Sequence, residues 1–209
     1  MSILVIDYGM GNIGSVKRSL EECGASVLIS SDPNDVELAT HIILPGVGSF
    51  PDGMRNLHRG GWFSQIRKAV LEDKIPILGI CLGMQLLAER GYENQETVGL
   101  GLIKGEVIRL EKSFPDERIP HVGWNEVVQK QKKSLFDKIP DHADFYFVHS
   151  YHLVPSDPQA VLSLTPYCGE FISSVHYKNI YGVQFHPEKS SYYGMLLLRN
   201  FISIGPASC

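Results

Sequence analysis

The feature that most constrains the fold is an apolar run that passes without interruption into a cysteine and then into a helical pattern. Residues 75–80 form the run, Cys81 follows it, and Gly79 and Gly83 flank the cysteine two positions away on either side. This Gly-x-nucleophile-x-Gly arrangement is typical of an elbow in which a tight strand-to-helix turn pushes the nucleophile out of the sheet. The N-terminus of the following helix also favours the thiolate over the thiol. The segment therefore predicts a nucleophilic Cys81, against the alternative of a buried structural cysteine.

Strand and helix patterns alternate along the first half of the chain, which predicts a mostly parallel sheet with helices on both faces. In the second half, short strand candidates are separated by Pro, Gly, Asp and Asn, which favours antiparallel or mixed pairing. We therefore expect one α/β domain over residues 1–209, with an added antiparallel or mixed strand region in its second half. The predicted strands are 3–6, 26–29, 41–44, 75–80, 105–110, 125–128, 145–148, 160–164, 172–177 and 181–185, and the predicted helices are 15–23, 62–72, 82–88 and 192–204.

Charge and hydropathy exclude several classes of protein. The formal net charge is −4, so nothing favours nucleic-acid binding. No apolar run approaches the roughly 18 residues of a membrane span, and no basic segment precedes the apolar N-terminal stretch as in a signal peptide. The cysteines, at positions 23, 81, 168 and 209, form no Cys-x-x-Cys pair, so we expect a reducing, cytoplasmic setting without a disulfide framework. We also expect neither a metal site nor a cofactor.

A cysteine nucleophile needs a base, and the base needs a group that orients it. Among the eight histidines, His186 ends an apolar strand, and Glu188 follows two residues later, where it could fix the imidazole tautomer. Taken alone, His-Pro-Glu is more typical of a surface turn, but together with the elbow it predicts a Cys-His-Glu triad. We interpret His149 and His152 as loop residues or residues behind the site, because no further Cys or His has the spacing of a zinc site.

A glycine-rich loop follows the predicted strand 41–44. It reads Pro45-Gly46-Val47-Gly48, and such a loop at a strand end can direct backbone N–H groups at a developing oxyanion. An ordinary turn would be the better interpretation if the loop stood alone.

Together, the elbow, the His-x-Glu pair and the glycine loop resemble the class I (triad) glutamine amidotransferases. They occur in that family's order, and the resemblance covers essentially the whole chain, which implies a flavodoxin-like fold. Further segments resemble the glutaminase subunits of imidazole glycerol phosphate synthases within that family. These segments are residues 7–12, 120–125, 147–151 and 186–190.

The resemblance implies an activity and a partner. In these enzymes the glutaminase splits L-glutamine into glutamate and ammonia, and the ammonia passes through a tunnel to a (β/α)8 cyclase. The cyclase forms imidazole glycerol phosphate, for histidine synthesis, and a purine precursor. The partner is expected to be a separate chain, forming a heterodimer, because no barrel is encoded in these residues.

The resemblance also implies a role for individual residues. Cys81 attacks the substrate amide, His186 carries the proton to the leaving ammonia, and Glu188 orients His186. The oxyanion would be stabilised by the backbone N–H groups of Val47 and Leu82. The amino-acid end of glutamine would be held by Gly48, Gln85, Ser150 and Tyr151. Positions that face or gate the partner would be Asn12, Trp124, Tyr146 and Lys189.

One segment departs from the subunit pattern. After Gln85 these subunits usually carry a Ser-Ser-Glu-Glu stretch, whereas residues 89–94 here read Glu-Arg-Gly-Tyr-Glu-Asn. Glu93 keeps the offset of a carboxylate that could bind the substrate ammonium. The change also resembles paralogues that supply ammonia for the amidation of a surface-polysaccharide sugar, so the downstream acceptor stays open.

A dinucleotide-binding protein is an alternative from another functional class. Residues 9–14 form a literal Gly-x-Gly-x-x-Gly between a strand and a helix, and Asp32 stands roughly 20 residues further on. However, Asp32 lies between two serines and Pro33, so it could simply begin a helix. Dinucleotide binding also leaves the elbow and His-Pro-Glu unexplained.

The same fold could also carry a different reaction. A triad on this scaffold could serve a peptidase, a glutaminase of an anthranilate or guanylate synthase, or a binding module with an inactive site. Gln85 and the His149–Tyr151 segment favour glutamine over a peptide, and residues 120–125 favour the imidazole glycerol phosphate synthase subunit. An intact triad argues against an inactive site.

Overall fold

The computed structural model describes residues 2–131 and 134–205, and Cys209 lies outside them. The strands are β1 (Ser2–Ile6), β2 (Ser26–Ser30), β3 (His41–Leu44), β4 (Ile77–Ile80), β5 (Ala88–Gly91), β6 (Thr97–Val98), β7 (Ile103–Arg109), β8 (His121–Gln129), β9 (Ala143–His149), β10 (Tyr151–Pro155), β11 (Val161–Thr165), β12 (Phe171–Tyr177) and β13 (Ile180–Val183). The α-helices are α1 (Ile13–Glu22), α2 (Phe50–Arg59), α3 (Trp62–Leu71), α4 (Leu82–Leu86) and α5 (Ser191–Ile202).

The main sheet has the strand order β2-β1-β3-β4-β13-β12-β11-β8-β9. Its first five strands pair in parallel, and from β13 onwards the neighbours pair antiparallel. The predicted fold class, a mostly parallel α/β sheet with an antiparallel region in the second half, is confirmed.

One pairing of distant segments positions the candidate site. Strand β13 lies beside β4 with Gly182 opposite Gly79 and Val183 opposite Ile80, and the N–H of Cys81 donates to the carbonyl of Val183 at 2.8 Å. Because both strands run the same way, the elbow after β4 and the segment after β13 emerge at the same edge of the sheet. This edge is where parallel α/β sheets place their ligands.

The core lies on both faces of the sheet. Alternate residues of β1 enter two separate clusters: Leu4 and Ile6 pack with Phe50 and Trp62 on one face, while Ile3 and Val5 face a cluster that includes the second-half aromatics. This two-sided burial explains why the first-half strands read as continuous apolar runs.

Several elements differ from the prediction. Helix α2 was not predicted, although Ser49 caps it and Pro51 lies in its first turn, because Pro and Gly interrupt its apolar pattern. The predicted helix 82–88 ends at Leu86, and Ala88–Gly91 forms β5 instead. Pairing with β7 overrides the local helical pattern there.

The strands outside the main sheet are also more extensive than predicted. A separate four-stranded sheet has the order β10-β7-β5-β6, and neither β6 nor β10 was predicted. The remaining boundaries move by a few residues, as element ends generally do.

Two further observations concern the described residues only. None of their helices is long and apolar enough to cross a membrane. Cys23, Cys81 and Cys168 all carry free thiols.

Candidate active site

Cys81 occupies a strained turn between β4 and α4. Its φ of 54° and ψ of −112° lie in a region that L-residues rarely adopt, which is typical of residues held for function. A Cβ on Gly83 would stand 1.8 Å from the carbonyl oxygen of Leu44, and one on Gly79 would stand 2.6 Å from that of Gly83. The two glycines are therefore needed for the close contact of strand, turn and helix, as the elbow pattern predicts.

His186 and Glu188 form a buried pair. The imidazole Nδ1 lies 2.8 Å from Oε1 of Glu188, and the side chains are 3% and 2% exposed. An Nδ1–H that donates to the carboxylate leaves Nε2 as the ring nitrogen that can exchange a proton with another group. Among the described residues, this buried Nε2 has no hydrogen-bond partner.

The electrostatic setting of His186 favours the imidazolium. Burial lowers the pKa of the imidazole, but interactions with Cys81 and Glu188 outweigh burial and raise that pKa to about 10. His186 therefore carries a positive charge next to Cys81, and a positive neighbour of this kind is what an active-site cysteine requires.

The backbone of His186 is fixed from two directions. Its N–H donates to the carbonyl of Tyr146 at 2.9 Å, and its carbonyl accepts from the hydroxyl of Ser190 at 2.6 Å. The same hydroxyl accepts from the N–H of Tyr146 at 3.0 Å. The backbone of His186 is therefore held against β9 as well as by its own segment after β13.

A cavity of about 300 Å³ opens at Cys81. Every residue predicted to bind the substrate or its oxyanion lies in its lining, whereas His186 and Glu188 are buried outside it. The lining residues are Val47, Gly48, Cys81, Leu82, Gln85, Glu93, Pro120, Val148, His149, Ser150 and Tyr151. A larger depression of about 830 Å³ lies near Phe136–Asp141 and contains none of the predicted residues, so volume alone would not identify the site.

Two polar side chains of the cavity are held by protein contacts. One carboxylate oxygen of Glu93 accepts from the N–H of Phe50 at 2.7 Å, which anchors Glu93 at the start of α2. The amide nitrogen of Gln85 donates to the carbonyl of Tyr151 at 2.8 Å and to the side-chain oxygen of Gln184 at 3.0 Å. Both of these contacts use the amide nitrogen of Gln85 and leave its carbonyl Oε1 out.

The glycine loop lies directly on the elbow. A Cβ on Gly46 would stand 2.9 Å from Cβ of Leu82 and 3.0 Å from the N–H nitrogen of Gly83, so glycine allows this approach. Gly48 has φ of +118°, and Val47 between the two glycines is 43% exposed. Leu82 is the first residue of α4, and its N–H has no acceptor within the helix.

A family model described as glutamine amidotransferase class-I matches residues 4–204. The chain belongs to this family. The family assignment and the fold class predicted from the sequence are confirmed, and the chain is a glutamine amidotransferase subunit.

Individual relatives match nearly the full chain. The imidazole glycerol phosphate synthase subunit HisH 2 of Methanococcus maripaludis is 46% identical over 200 residues, 96% of this chain and 98% of that protein. The corresponding HisH of Aquifex aeolicus is 45% identical over 202 residues, 96% of each chain. The structure of PurLQS from Thermotoga maritima has a TM-score of 0.76 at 19% identity and covers 96% of this chain and 97% of that chain, a likeness of fold alone.

Three of the four residues that the amidotransferase resemblance placed at a partner face lie together. Trp124 is 52% exposed and its ring meets that of Tyr146 edge-on at 6.1 Å between centroids, while Nζ of Lys189 stands 5.7 Å from the centre of the Tyr146 ring. Asn12 is exposed and caps α1, where its side chain accepts from the N–H of Ser15.

A buried pair of histidines, His121 and His149, borders the amidotransferase cavity, and the sequence analysis did not name His121. Nδ1 of His121 lies 3.1 Å from Nε2 of His149, whose Nδ1 lies 2.9 Å from the carbonyl of Tyr151. Burial lowers the pKa of His121 to about 4 and that of His149 to about 3, so neither can act as an imidazolium near neutral pH. The pairing of β8 with β9 sets His121 directly opposite His149, which no local pattern could reveal.

The features that favoured dinucleotide binding have other roles in this amidotransferase. The Asp32 carboxylate accepts from the N–H of Asn34 at 2.9 Å and caps the 3-10 helix Pro33–Leu38, as expected for a residue that begins a helix. A Cβ on Gly14 would meet nothing within 4 Å, whereas the third glycine of the fingerprint is needed for close helix–strand packing.

Proposed function

We propose that this chain hydrolyses L-glutamine to L-glutamate and ammonia, as the glutaminase subunit of an imidazole glycerol phosphate synthase. One observation supports this proposal above all: the strained turn at Cys81 and the buried His186–Glu188 pair lie at the same edge of the sheet. The cavity that opens there also collects Gln85 and Glu93, which suit the polar end of an amino acid.

The first half of the reaction makes a thioester. The Cys81 thiolate attacks the side-chain carbonyl carbon of glutamine, and the oxygen that becomes negative accepts from the N–H groups of Val47 and Leu82. When the C–N bond breaks, the His186 imidazolium gives its Nε2 proton to the departing nitrogen, which leaves as ammonia.

The second half regenerates the enzyme. Neutral His186 takes a proton from a water molecule as the water oxygen attacks the thioester carbon. The C–S bond then breaks, glutamate leaves, and the thiolate–imidazolium pair is restored. Glu188 acts throughout by holding Nδ1, so that Nε2 always faces the reaction.

The partner proposal rests on the relatives and on the exposed aromatic cluster. The relatives are named as subunits of imidazole glycerol phosphate synthase. Trp124, Tyr146 and Lys189 give this chain an aromatic and basic surface beside the backbone of His186, suited to a partner interface. We propose that a (β/α)8 cyclase docks there, receives the ammonia through a channel, and forms imidazole glycerol phosphate in the cytoplasm.

The alternative acceptor of the ammonia is an enzyme that amidates a surface-polysaccharide sugar. Methanococcus maripaludis has two proteins named HisH, numbered 1 and 2, which are 43% and 46% identical to this chain. The percentage identity therefore does not show which of two such proteins in one organism this chain corresponds to. Segment 89–94 resembles paralogues that supply ammonia for polysaccharide amidation. A test with two purified acceptor enzymes separates the two possibilities.

The nucleophile is tested with a diazoketone analogue of glutamine followed by peptide mass mapping. We expect one adduct, on Cys81, whose formation is slowed by excess L-glutamine, while Cys23 and Cys168 serve as internal control thiols. An adduct that L-glutamine does not slow would overturn the assignment of the cavity as a glutamine site.

The partner is tested by mixing this chain with the histidine-pathway cyclase or with the sugar-amidating synthetase. Glutamine-dependent product should form with the cyclase. Product with the synthetase alone would move this chain to the polysaccharide branch and leave the glutaminase chemistry in place.

A further inference from the structure

Gln184 is a fully buried polar residue beside the nucleophile that the proposed mechanism does not use. It follows the last residue of β13 and precedes His186 by two positions, and its side chain is 0% exposed. Its amide nitrogen Nε2 lies 3.6 Å from the sulfur of Cys81, within hydrogen-bond distance for sulfur.

The orientation of this amide is fixed by a backbone group. The carbonyl of Tyr151 can only accept, so the Gln85 atom 2.8 Å away must be the amide nitrogen. The same nitrogen lies 3.0 Å from the Gln184 side chain, so the Gln184 atom that it meets must be the oxygen Oε1. The nitrogen of Gln184 is therefore the atom that faces the Cys81 sulfur, and an amide flip would break two hydrogen bonds.

The two contacts of the sulfur respond differently to ionisation. The carbonyl of Val148 lies 3.7 Å from the sulfur and can accept only from the neutral thiol. The Gln184 N–H can donate to either form, and its bond strengthens when the sulfur becomes negative, because charge-assisted hydrogen bonds are the stronger ones. Loss of the thiol proton thus removes the contact with Val148 and strengthens the contact with Gln184.

We propose that Gln184 is a catalytic residue of this site, which donates a hydrogen bond to the Cys81 thiolate and holds the sulfur in position for attack. The proposal rests on the proposed role of Cys81 as nucleophile. It gives the thiolate a neutral donor in addition to the charged His186, and the neutral donor stays in place when His186 gives up its proton.

Gln85 then acts as a positioning residue for Gln184. Its nitrogen is occupied by Tyr151 and Gln184, so it links the strand that borders the substrate cavity to the nucleophile. Only Oε1 of Gln85 remains to contact the substrate.

The test measures the rate of Cys81 alkylation by iodoacetamide against pH, with peptide mass mapping. Gln184→Met keeps the side-chain volume and removes the donor, so the alkylation midpoint should rise by about one pH unit and the rate at pH 7 should fall about tenfold. The kcat for glutamine should fall while KM changes little, because the lost contact is with the nucleophile.

Ser163→Ala is the matched control. Ser163 is fully buried on β11 and its hydroxyl meets those of Ser173 and Ser174 at 2.9 and 2.6 Å, so its loss disturbs a buried polar network without touching the sulfur. Its alkylation profile should match that of the unmodified chain. Thermal melting of each variant checks that the fold is retained.

Gln184→Glu is a second variant of nearly the same shape, in case Gln184→Met does not fold. The new carboxylate would place a negative charge next to the thiolate. Cys81 of this variant should therefore be alkylated at pH 7 even more slowly than Cys81 of Gln184→Met. An unchanged profile in a folded Gln184 variant would overturn the role of Gln184. A native Cys81 that is no more reactive than Cys23 or Cys168 would instead overturn the proposed nucleophile.

Discussion

The Nδ1 atom of His186 lies 2.8 Å from the Oε1 atom of Glu188, and both side chains are shielded from solvent almost completely. A buried carboxylate is costly unless it is paired, so this hydrogen bond fixes the ring as well as satisfying the charge. The second oxygen, Oε2, accepts no hydrogen bond from the described residues. We therefore treat the two residues as one pair, and we expect their replacement to lower the activity by different amounts.

Replacing His186 by Ala should lower kcat for glutamine by about 100- to 10,000-fold, because the proton donor and the counter-ion of the thiolate are lost together. Glu188→Gln should cost less, since an amide still contacts the ring and only the charge is removed. The control is His152→Ala, because burial already lowers the pKa of that imidazole to about 4 and makes it a poor base partner for Cys81. A larger loss for His152→Ala or His149→Ala than for His186→Ala would show that the base has been misassigned.

Cys81→Ala should abolish turnover that depends on glutamine while the partner cyclase still works with an added ammonium salt. The reason is the proposed division of labour, in which this chain makes the ammonia and the partner consumes it. Steady-state assays with each nitrogen source measure the two activities separately. Appreciable glutaminase activity in a folded Cys81→Ala variant would end the assignment.

Gly83→Ala should destabilise the protein severely or prevent folding, because the new Cβ would stand 1.8 Å from the Leu44 carbonyl oxygen. The matched control is Gly14→Ala, which meets no atom within 4 Å and lies inside α1. That change should raise the stability by about 0.5–1 kcal/mol through helix propensity. Thermal melting of the two variants compares them, and a Gly83→Ala variant as stable as the unmodified chain would disprove the tight elbow.

Stability should fall as the pH drops below about 6.5, because burial holds the pKa of His149 at about 3 and those of His121 and His152 at about 4. At pH values between the folded and unfolded pKa, the unfolded chain binds protons that the folded chain excludes. The stabilisation is therefore complete above the unfolded value and is lost as the pH falls. For His149 alone the loss is about 1.4 kcal/mol per pH unit below about 6.5.

Melting curves between about pH 7.5 and pH 5 measure this dependence. His149→Gln should flatten it by removing one buried titrating group. His142→Gln should not, because His142 is exposed and its pKa is raised by the hydrogen bond with Glu126. Equal slopes for the His149 and His142 variants would contradict the burial argument.

The sequence predicted those parts of the fold and site that depend on local pattern. The β4–Cys81–α4 elbow follows from an apolar run and two glycines, and strand β3 was predicted with its observed bounds. The His-x-Glu spacing is local as well, so the members of the proposed triad could be named without coordinates.

Features that depend on strand pairing could not be predicted in this way. The opposition of His121 and His149 depends on the register of β8 with β9. The contact of Gln184 with Cys81 depends on the pairing of β13 with β4. A signal for Gln184 did exist, because it lies two residues before His186, and alternate residues of an extended strand share a face.

Activation by the partner should act through the loop Pro45–Gly48. Two glycines allow the peptide before Val47 to direct either its N–H or its carbonyl towards the reacting centre, and only one orientation completes the oxyanion hole. One missing donor costs roughly 100- to 1000-fold in rate, so the free chain should hydrolyse glutamine slowly. A partner that binds the productive orientation more tightly should raise the rate by up to that factor.

Trp124→Ala should weaken this activation much more than it weakens the basal rate, because Trp124 is 52% exposed and contributes little to the core. The effect of the substitution should reach the site through Tyr146. The Trp124 ring contacts the Tyr146 ring, and the Tyr146 carbonyl accepts a hydrogen bond from the N–H of His186. The matched control is Tyr177→Ala, an exposed aromatic at the opposite end of the sheet, paired with Ile180. Kinetics with and without the ligand-bound cyclase, with thermal melting beside them, separate lost activation from lost stability. A free chain that already runs at full speed and is unchanged by any cyclase would make this protein a stand-alone glutaminase.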